Sequence, residues 1–215
     1  MATGTFILRP SADISVGHTL YPSDSTAAYL LINEETDDGS STYITSNSSS
    51  GLTSKFALSG NIPSELAKVT NIKVVHVSSN AASNYTSIIN YSLEIDGTKV
   101  SVSDSFSPSD TSYIVYEKNI TDTTFLNKLN SSGAFSDLTL TITSSCASNK
   151  SYKVNTTQVY LEVTYNTADI GVHKKINGSW VAATQAYQKT NGAWTEITAD
   201  ECKAILQNSL CKRGE

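Results

Sequence analysis

From Thr3 to about Tyr165 apolar and polar residues alternate with period two, and turn residues break the runs. The pattern predicts strands at Thr5–Leu8, Ala28–Ile32, Thr42–Thr45, Ser54–Leu58, Val69–Ser78, Ser87–Ile95, Lys99–Val102, Tyr113–Glu117, Leu138–Thr143 and Val154–Tyr165. Their β-branched and aromatic content suits a pleated, half-buried surface. Val159, Leu161, Val163 and Tyr165 alternate with Tyr160, Glu162 and Thr164, as in a strand with one buried face. Asp96-Gly97, between Ile95 and Thr98, reads as a hairpin turn. Repeated helical patterns between strands are absent, so a parallel α/β fold is not expected. The expected fold is all-β: an antiparallel, jelly-roll-like β-sandwich over residues 1–166.

Helical periodicity occurs in two short places. Thr121 or Asp122 can cap Thr123–Leu129, which sets Phe125, Leu126 and Leu129 on one face. Thr198-Ala199-Asp200-Glu201 is a capping box, with Glu201 three residues after the cap. The helix it predicts, Ala199–Leu210 within a tail over 199–215, carries Cys202, Ile205 and Leu206 on one side and needs an apolar partner.

Between the sandwich and that tail the chain repeats itself. Lys175-Ile176-Asn177-Gly178-Ser179-Trp180 returns 14 residues later as Lys189-Thr190-Asn191-Gly192-Ala193-Trp194. Asn-Gly tolerates the two positive φ angles of a type I′ turn. Such turns place Ile176 opposite Ser179, Lys175 opposite Trp180, and Lys189 opposite Trp194. A lysine across an aromatic ring is worth roughly 0.5–1 kcal/mol at an exposed site. A lone hairpin is marginal in water, so two of them over 167–198 suggest a docking or display module. The expected interaction residues are Lys175, Asn177, Gly178, Trp180, Lys189, Asn191, Gly192, Trp194, Ile205 and Leu206.

Composition narrows the function. The chain has 215 residues, 39% hydrophobic and only 16% charged. Low charge with abundant Ser, Thr and Asn suits extracellular-type β proteins and virion proteins better than cytosolic enzymes. A net charge of −5 and a pI near 5.2 oppose nucleic-acid binding, and no basic stripe with interleaved aromatics occurs. No stretch approaches a membrane span. Met1-Ala2-Thr3-Gly4-Thr5 lacks a basic n-region, and Phe6-Ile7-Leu8 is too short for a signal-peptide core. The expected route is synthesis in a cytoplasm, with any exit inside a larger particle. Cys146, Cys202 and Cys211 show no metal-binding spacing and are expected to be free thiols.

Few features recommend chemistry. The run Glu34-Glu35-Thr36-Asp37-Asp38-Gly39 offers oxygens for Ca²⁺ but lacks the alternating spacing of an EF-hand loop, so a solvated loop is expected. Adjacent carboxylates in one loop do not straddle a glycosidic bond. His18, His76 and His173 are far apart, and His76 is expected on a strand, facing solvent or a neighbour. No GxSxG, HExxH, P-loop or dinucleotide fingerprint occurs. No catalytic residue, cofactor or metal is therefore expected. The many tyrosines could stack on sugar rings, though ordinary strand packing explains them as well.

Several segments resemble small β-sandwich virion proteins of tailed bacteriophages. They are Leu8-Arg9-Pro10-Ser11-Ala12-Asp13, Ala28-Tyr29-Leu30-Leu31-Ile32-Asn33-Glu34 and Asp37-Asp38-Gly39-Ser40-Ser41-Thr42-Tyr43-Ile44. Phe56-Ala57-Leu58, the strand Ile72–Ser78, the helix Asp122–Leu129 and the closing strand Gln158–Tyr165 follow in the same order. The tandem hairpins are similar to Lys-x-Asn-Gly-x-Trp repeats that end phage head and tail proteins. The chain departs from the pattern in lacking a tryptophan near its first strand. The resemblance implies a non-enzymatic accessory subunit on the head, neck or tail, oligomeric on the particle and bound to other virion proteins. It carries no catalytic residues. A host-surface or glycan-binding module at a tail tip, using exposed tyrosines and the acidic loop, is the alternative.

Overall fold

The computed structural model describes residues 3–36, 38–80, 86–106, 111–133, 135–146, 154–167, 173–176, 179–182, 186–190 and 192–197; for Phe106, Cys146 and much of 173–197 it describes backbone alone. The strands are β1 (Thr3–Ser15), β2 (Thr19–Tyr21), β3 (Tyr43–Ser46), β4 (Leu52–Ser59), β5 (Leu66–Asn80), β6 (Ser87–Ile95), β7 (Thr98–Phe106), β8 (Ile114–Ile120), β9 (Thr139–Cys146) and β10 (Val154–Thr167), with one helix, α1 (Thr123–Ser132). Two further strand pairs follow: β11 (His173–Ile176) with β12 (Ser179–Ala182), and β13 (Ala186–Thr190) with β14 (Ala193–Ile197). The chain divides into two compact units, one of Phe6–Asn61 and Asn71–Val163, the other of Met1–Thr5, Ile62–Thr70 and Thr164–Glu215.

The expected all-β antiparallel sandwich is what the chain forms. One layer runs β2-β3-β10-β5-β8 and the other β1-β4-β9-β6-β7, with β1 also beside β10. A strand that serves two layers must bend, and β1 does so through register shifts at Pro10/Ala12 and Asp13/Ser15. Pro10 donates no ladder hydrogen bond, so a bulge is where a strand tolerates it. The core between the layers includes Leu8, Phe56, Ile72, Val74, Ile89, Leu93, Leu140, Ile142 and Leu161, all buried. Val159, Leu161, Val163 and Tyr165 of β10 are buried on alternate positions, as their spacing predicts.

Local chemistry fixes the connections. Asp96 (φ 46°) and Gly97 (φ 74°) make the turn that sets Ile95 opposite Thr98. Asp122 accepts a hydrogen bond from the Phe125 amide at 2.8 Å, and Gly133 ends α1 in the left-handed region. Phe125, Leu126 and Leu129 form its buried face.

One expected strand is corrected. Ala28–Ile32 is not extended; Tyr29–Leu31 forms a turn of 3-10 helix. The Asp13 carboxylate accepts from the amides of Ala28 and Tyr29, each at 2.8 Å, and so curls the chain. The buried residues Ala28, Leu31 and Ile32 keep a spacing of three and four, which a short apolar run does not distinguish from a buried strand. The predicted helix Ala199–Leu210, including Ile205 and Leu206, lies outside the described residues.

Candidate functional site

One exposed edge of the sandwich brings two sequence candidates together. Register sets Tyr21 of β2 opposite Tyr43 of β3, and their rings stack at 4.6 Å with an interplanar angle of 10°. Tyr21 keeps 48% of its surface exposed. Burial, and then the neighbouring Tyr21, push the Tyr43 phenol above its ordinary pKa. The adjacent Thr42 hydroxyl lies 2.8 Å from Glu34 Oε1 and 3.0 Å from Asp38 Oδ2. It has one proton, so it donates to one carboxylate at a time. Thr157 donates to Asp38 Oδ1 at 3.1 Å, and Gln158 Nε2 donates to the Glu34 carbonyl at 2.7 Å. The acidic run is a loop, as expected, with Glu34 and Asp38 tied down and Asp37 outside the described residues. Among the described residues no three His, Cys, Asp or Glu side chains gather as a metal site. An aromatic platform beside carboxylate acceptors can stack on an apolar ring face and accept hydrogen bonds from hydroxyls.

A shallow cleft of about 320 Å³ is lined by Phe6, Ile7, Arg9, Glu35, Ser59, Gly60 and Asn61. The Arg9 guanidinium lies 4.8 Å above the Tyr160 ring and donates from Nη1 to the Glu34 carbonyl. A Cβ at Gly60 would strike the Ile7 carbonyl oxygen, so glycine lets the end of β4 press against β1 here.

Sequence reading missed a polar network between the layers. His76 does not face solvent; its surface is fully buried. Its ring stacks on Tyr116 (5.0 Å, 11°) and tilts against Tyr91 (4.6 Å). His76 Nε2 lies 3.1 Å from Asp104 Oδ2, and Nδ1 lies 2.9 Å from Ser78 Oγ. Ser78 Oγ is 3.0 Å from Thr156 Oγ1, and Lys118 Nζ is 2.9 Å from Asp104 Oδ1. Burial lowers the His76 pKa, a hydrogen bond and the charge of Asp104 only partly oppose this, and Lys118 lowers it further. Burial pushes the Asp104 carboxyl up, but the hydrogen bonds from His76 and Lys118 outweigh it and leave the group below its usual value. An ionised Asp104 only accepts, so Nε2 carries the proton and Ser78 donates to Nδ1.

Serine, histidine and aspartate stand in sequence here as in a hydrolase triad, but no substrate can reach them. Ser78 and His76 have no exposed surface. The network instead pins β5 to β7, and Lys118 of β8 joins it. Inward-pointing charges on the two edge strands β7 and β8 also discourage pairing with another sheet. Nothing in the sequence flags the set, because positions 76, 104 and 118 share no local spacing.

The predicted interaction residues other than Ile205 and Leu206 belong to the two C-terminal hairpins. Lys175 is paired with Trp180 and Ile176 with Ser179; Lys189 is paired with Trp194. Gly192 has φ 85°, the positive angle its turn requires. Trp194 is 68% exposed and Tyr187 51% exposed. The side chains of Lys175, Trp180 and Lys189, and the residues Asn177, Gly178 and Asn191, lie outside the described set.

No protein-family model and no curated protein matches the chain. Among solved structures, a family 16 carbohydrate-binding module-2 is 13% identical over 58% of this chain and 78% of that one, with a TM-score of 0.34. The CBM36-1 domain of a multidomain xylanase from the hindgut metagenome of Trinervitermes trinervoides is 11% identical over 75% and 96%, with a TM-score of 0.33. BiXyn10A CBM1 is 14% identical over 77% and 93%, with a TM-score of 0.36. These scores and identities are low, and the likeness is faint.

Proposed function

We propose that the protein is a non-enzymatic structural subunit of a tailed-bacteriophage virion. It is an accessory surface protein of head, neck or tail, made in the bacterial cytoplasm and held on the particle by protein–protein contacts. The carrying observation is the repeated Lys-x-Asn-Gly-x-Trp unit, folded twice with the same register and presenting an exposed Trp194. Tryptophan on a small, locally specified hairpin is a common anchor at protein interfaces. The one Ser–His–Asp grouping noted above is sealed from substrate, which supports a role without catalysis. The segments that resemble phage virion proteins supply the particle context, including self-association on its surface. The test is to purify particles from a lysate and quantify the protein in them by mass spectrometry. Recovery at a fixed ratio to the major particle proteins supports the reading; absence from particles overturns it.

A second reading, host-glycan binding at a tail tip, is favoured by one observation. The stacked Tyr21–Tyr43 pair and the Glu34/Asp38 carboxylates meet at one exposed edge, through Thr42. In this reading Tyr21→Ala abolishes retention on a glycan array that the native protein binds. If the native protein binds no glycan, this reading fails.

A further inference from the structure

A second buried histidine is held by a different arrangement. His18 lies between β1 and β2, one residue before β2 begins, and is 5% exposed. Its Nδ1 is 2.8 Å from Ser54 Oγ on β4, and its Nε2 is 2.6 Å from Ser144 Oγ on β9. The amides of Gly17 and His18 also donate to Ser54 Oγ, at 3.1 and 3.3 Å.

Counting protons assigns the tautomer. A serine hydroxyl has one hydrogen and two acceptor lone pairs. The two amides occupy both lone pairs of Ser54, so its hydrogen must go to His18 Nδ1. Nδ1 is therefore bare, and Nε2 carries the proton it donates to Ser144. A proton added at Nδ1 would point at an oxygen with no lone pair left. At least one of the three bonds at Ser54 then breaks. From β4 and β9 the ring meets the Ser54 and Ser144 hydroxyls. Among the described residues no charged group acts on the ring to stabilise an imidazolium.

The junction has little room to adapt. A Cβ at Gly17 would strike the Thr53 carbonyl oxygen, so the backbone before His18 is pressed onto β4. β2 itself has only three residues and, among the described strands, pairs with β3 alone.

We propose that His18 is an acid-released latch that fastens the β2 edge to β4 and β9. Protonation breaks the bonding at Ser54 at one point or more and frees the segment Gly17–Tyr21, which carries Tyr21 of the stacked pair. The latch rests on the geometry at Ser54, whatever the Tyr21 edge binds. Burial lowers the ring's pKa from 6.5 to about 4 when closed. The open segment has the ordinary value, so between these values the open state binds the extra proton and opening rises as pH falls. Linkage gives a roughly twentyfold larger opening equilibrium at pH 5 than at pH 7.

The test uses the full chain labelled with nitrogen-15. Long-range proton–nitrogen correlation should show the Nε2–H tautomer of His18, with titration well below 6.5. Amide exchange of Gly17–Tyr21, corrected for intrinsic rates, should speed up about twentyfold from pH 7 to pH 5, and should stay faster than exchange of β6 and β9 amides at both pH values. His18→Gln should remove that acceleration. An Nδ1–H tautomer, titration near 6.5, unchanged protection of Gly17–Tyr21, or exchange of Gly17–Tyr21 no faster than that of β6 and β9 would each overturn the latch. If His18→Gln does not fold, the tautomer and exchange of the native chain decide alone.

Discussion

Every residue of β5 from Val74 to Asn80 is buried, whereas in the last hairpin Trp194 is 68% exposed and Tyr187 51% exposed. The two regions hold their strands by different means. In the sandwich, position is set by what a side chain is buried against, and even polar residues such as His76, Ser78 and Thr156 sit inside a paired network. In the hairpins, the registers pair Lys175 with Trp180 and Lys189 with Trp194, and Trp194 and Tyr187 are exposed. One region is organised to stay closed and the other to present a surface.

The largest effect that can break this contrast is a cavity in the core. Phe56→Ala should destabilise the fold by about 3–5 kcal/mol, read as a lower urea midpoint. Trp194→Ala should move the same midpoint by no more than about 0.5 kcal/mol. Equal losses would mean that the hairpin ring is part of the core.

Acid is next in size. The folded pKa of His18 is lowered from 6.5 to about 4, so the unfolded chain binds a proton that the folded chain refuses. Its contribution is fully present above pH 6.5 and is lost as pH falls toward 4, on the order of 3 kcal/mol. Burial lowers the His76 pKa too, which adds loss in the same direction. The Asp104 carboxyl, held below its usual value, adds more at lower pH still. Urea midpoints measured from pH 7.5 to 4.5 should fall steadily. A flat profile contradicts both buried histidines.

Smaller effects sharpen the comparison. Asp122→Ala removes the cap of α1 and should cost about 1 kcal/mol. Gly192→Val forces a β-branched residue to φ 85° and should disturb the last hairpin while leaving the sandwich transition in place. Two-dimensional amide spectra would show shifts confined to 186–197. The smallest expected effect is that of Ca²⁺ or EDTA on melting, no more than a few degrees, since among the described residues no three His, Cys, Asp or Glu side chains gather as a metal site.

Much of the fold was legible because the signals were local. Ser87–Ile95 follows from alternation alone, Asp96-Gly97 fixes its partner, and the hairpin registers follow from Asn-Gly. What failed depended on distance. Asp13 turns Ala28–Ile32 into a helical turn from fifteen residues away. The bulges that carry β1 past Pro10 to Ser15 answer to the sandwich corner and not to the sequence pattern. The candidate edge was half legible: tyrosines and acidic loop were both visible, but only β2–β3 pairing brings Tyr21 beside Tyr43. The networks of His76 and His18 were invisible, because each joins residues far apart in the sequence.

The most direct test of the central claim is particle incorporation of the full chain carrying Trp180→Ala and Trp194→Ala together. The account predicts a protein that still folds, yet is lost from purified particles at least tenfold. A doubly substituted protein that folds and joins particles at the native ratio would contradict the assignment of assembly to the hairpins.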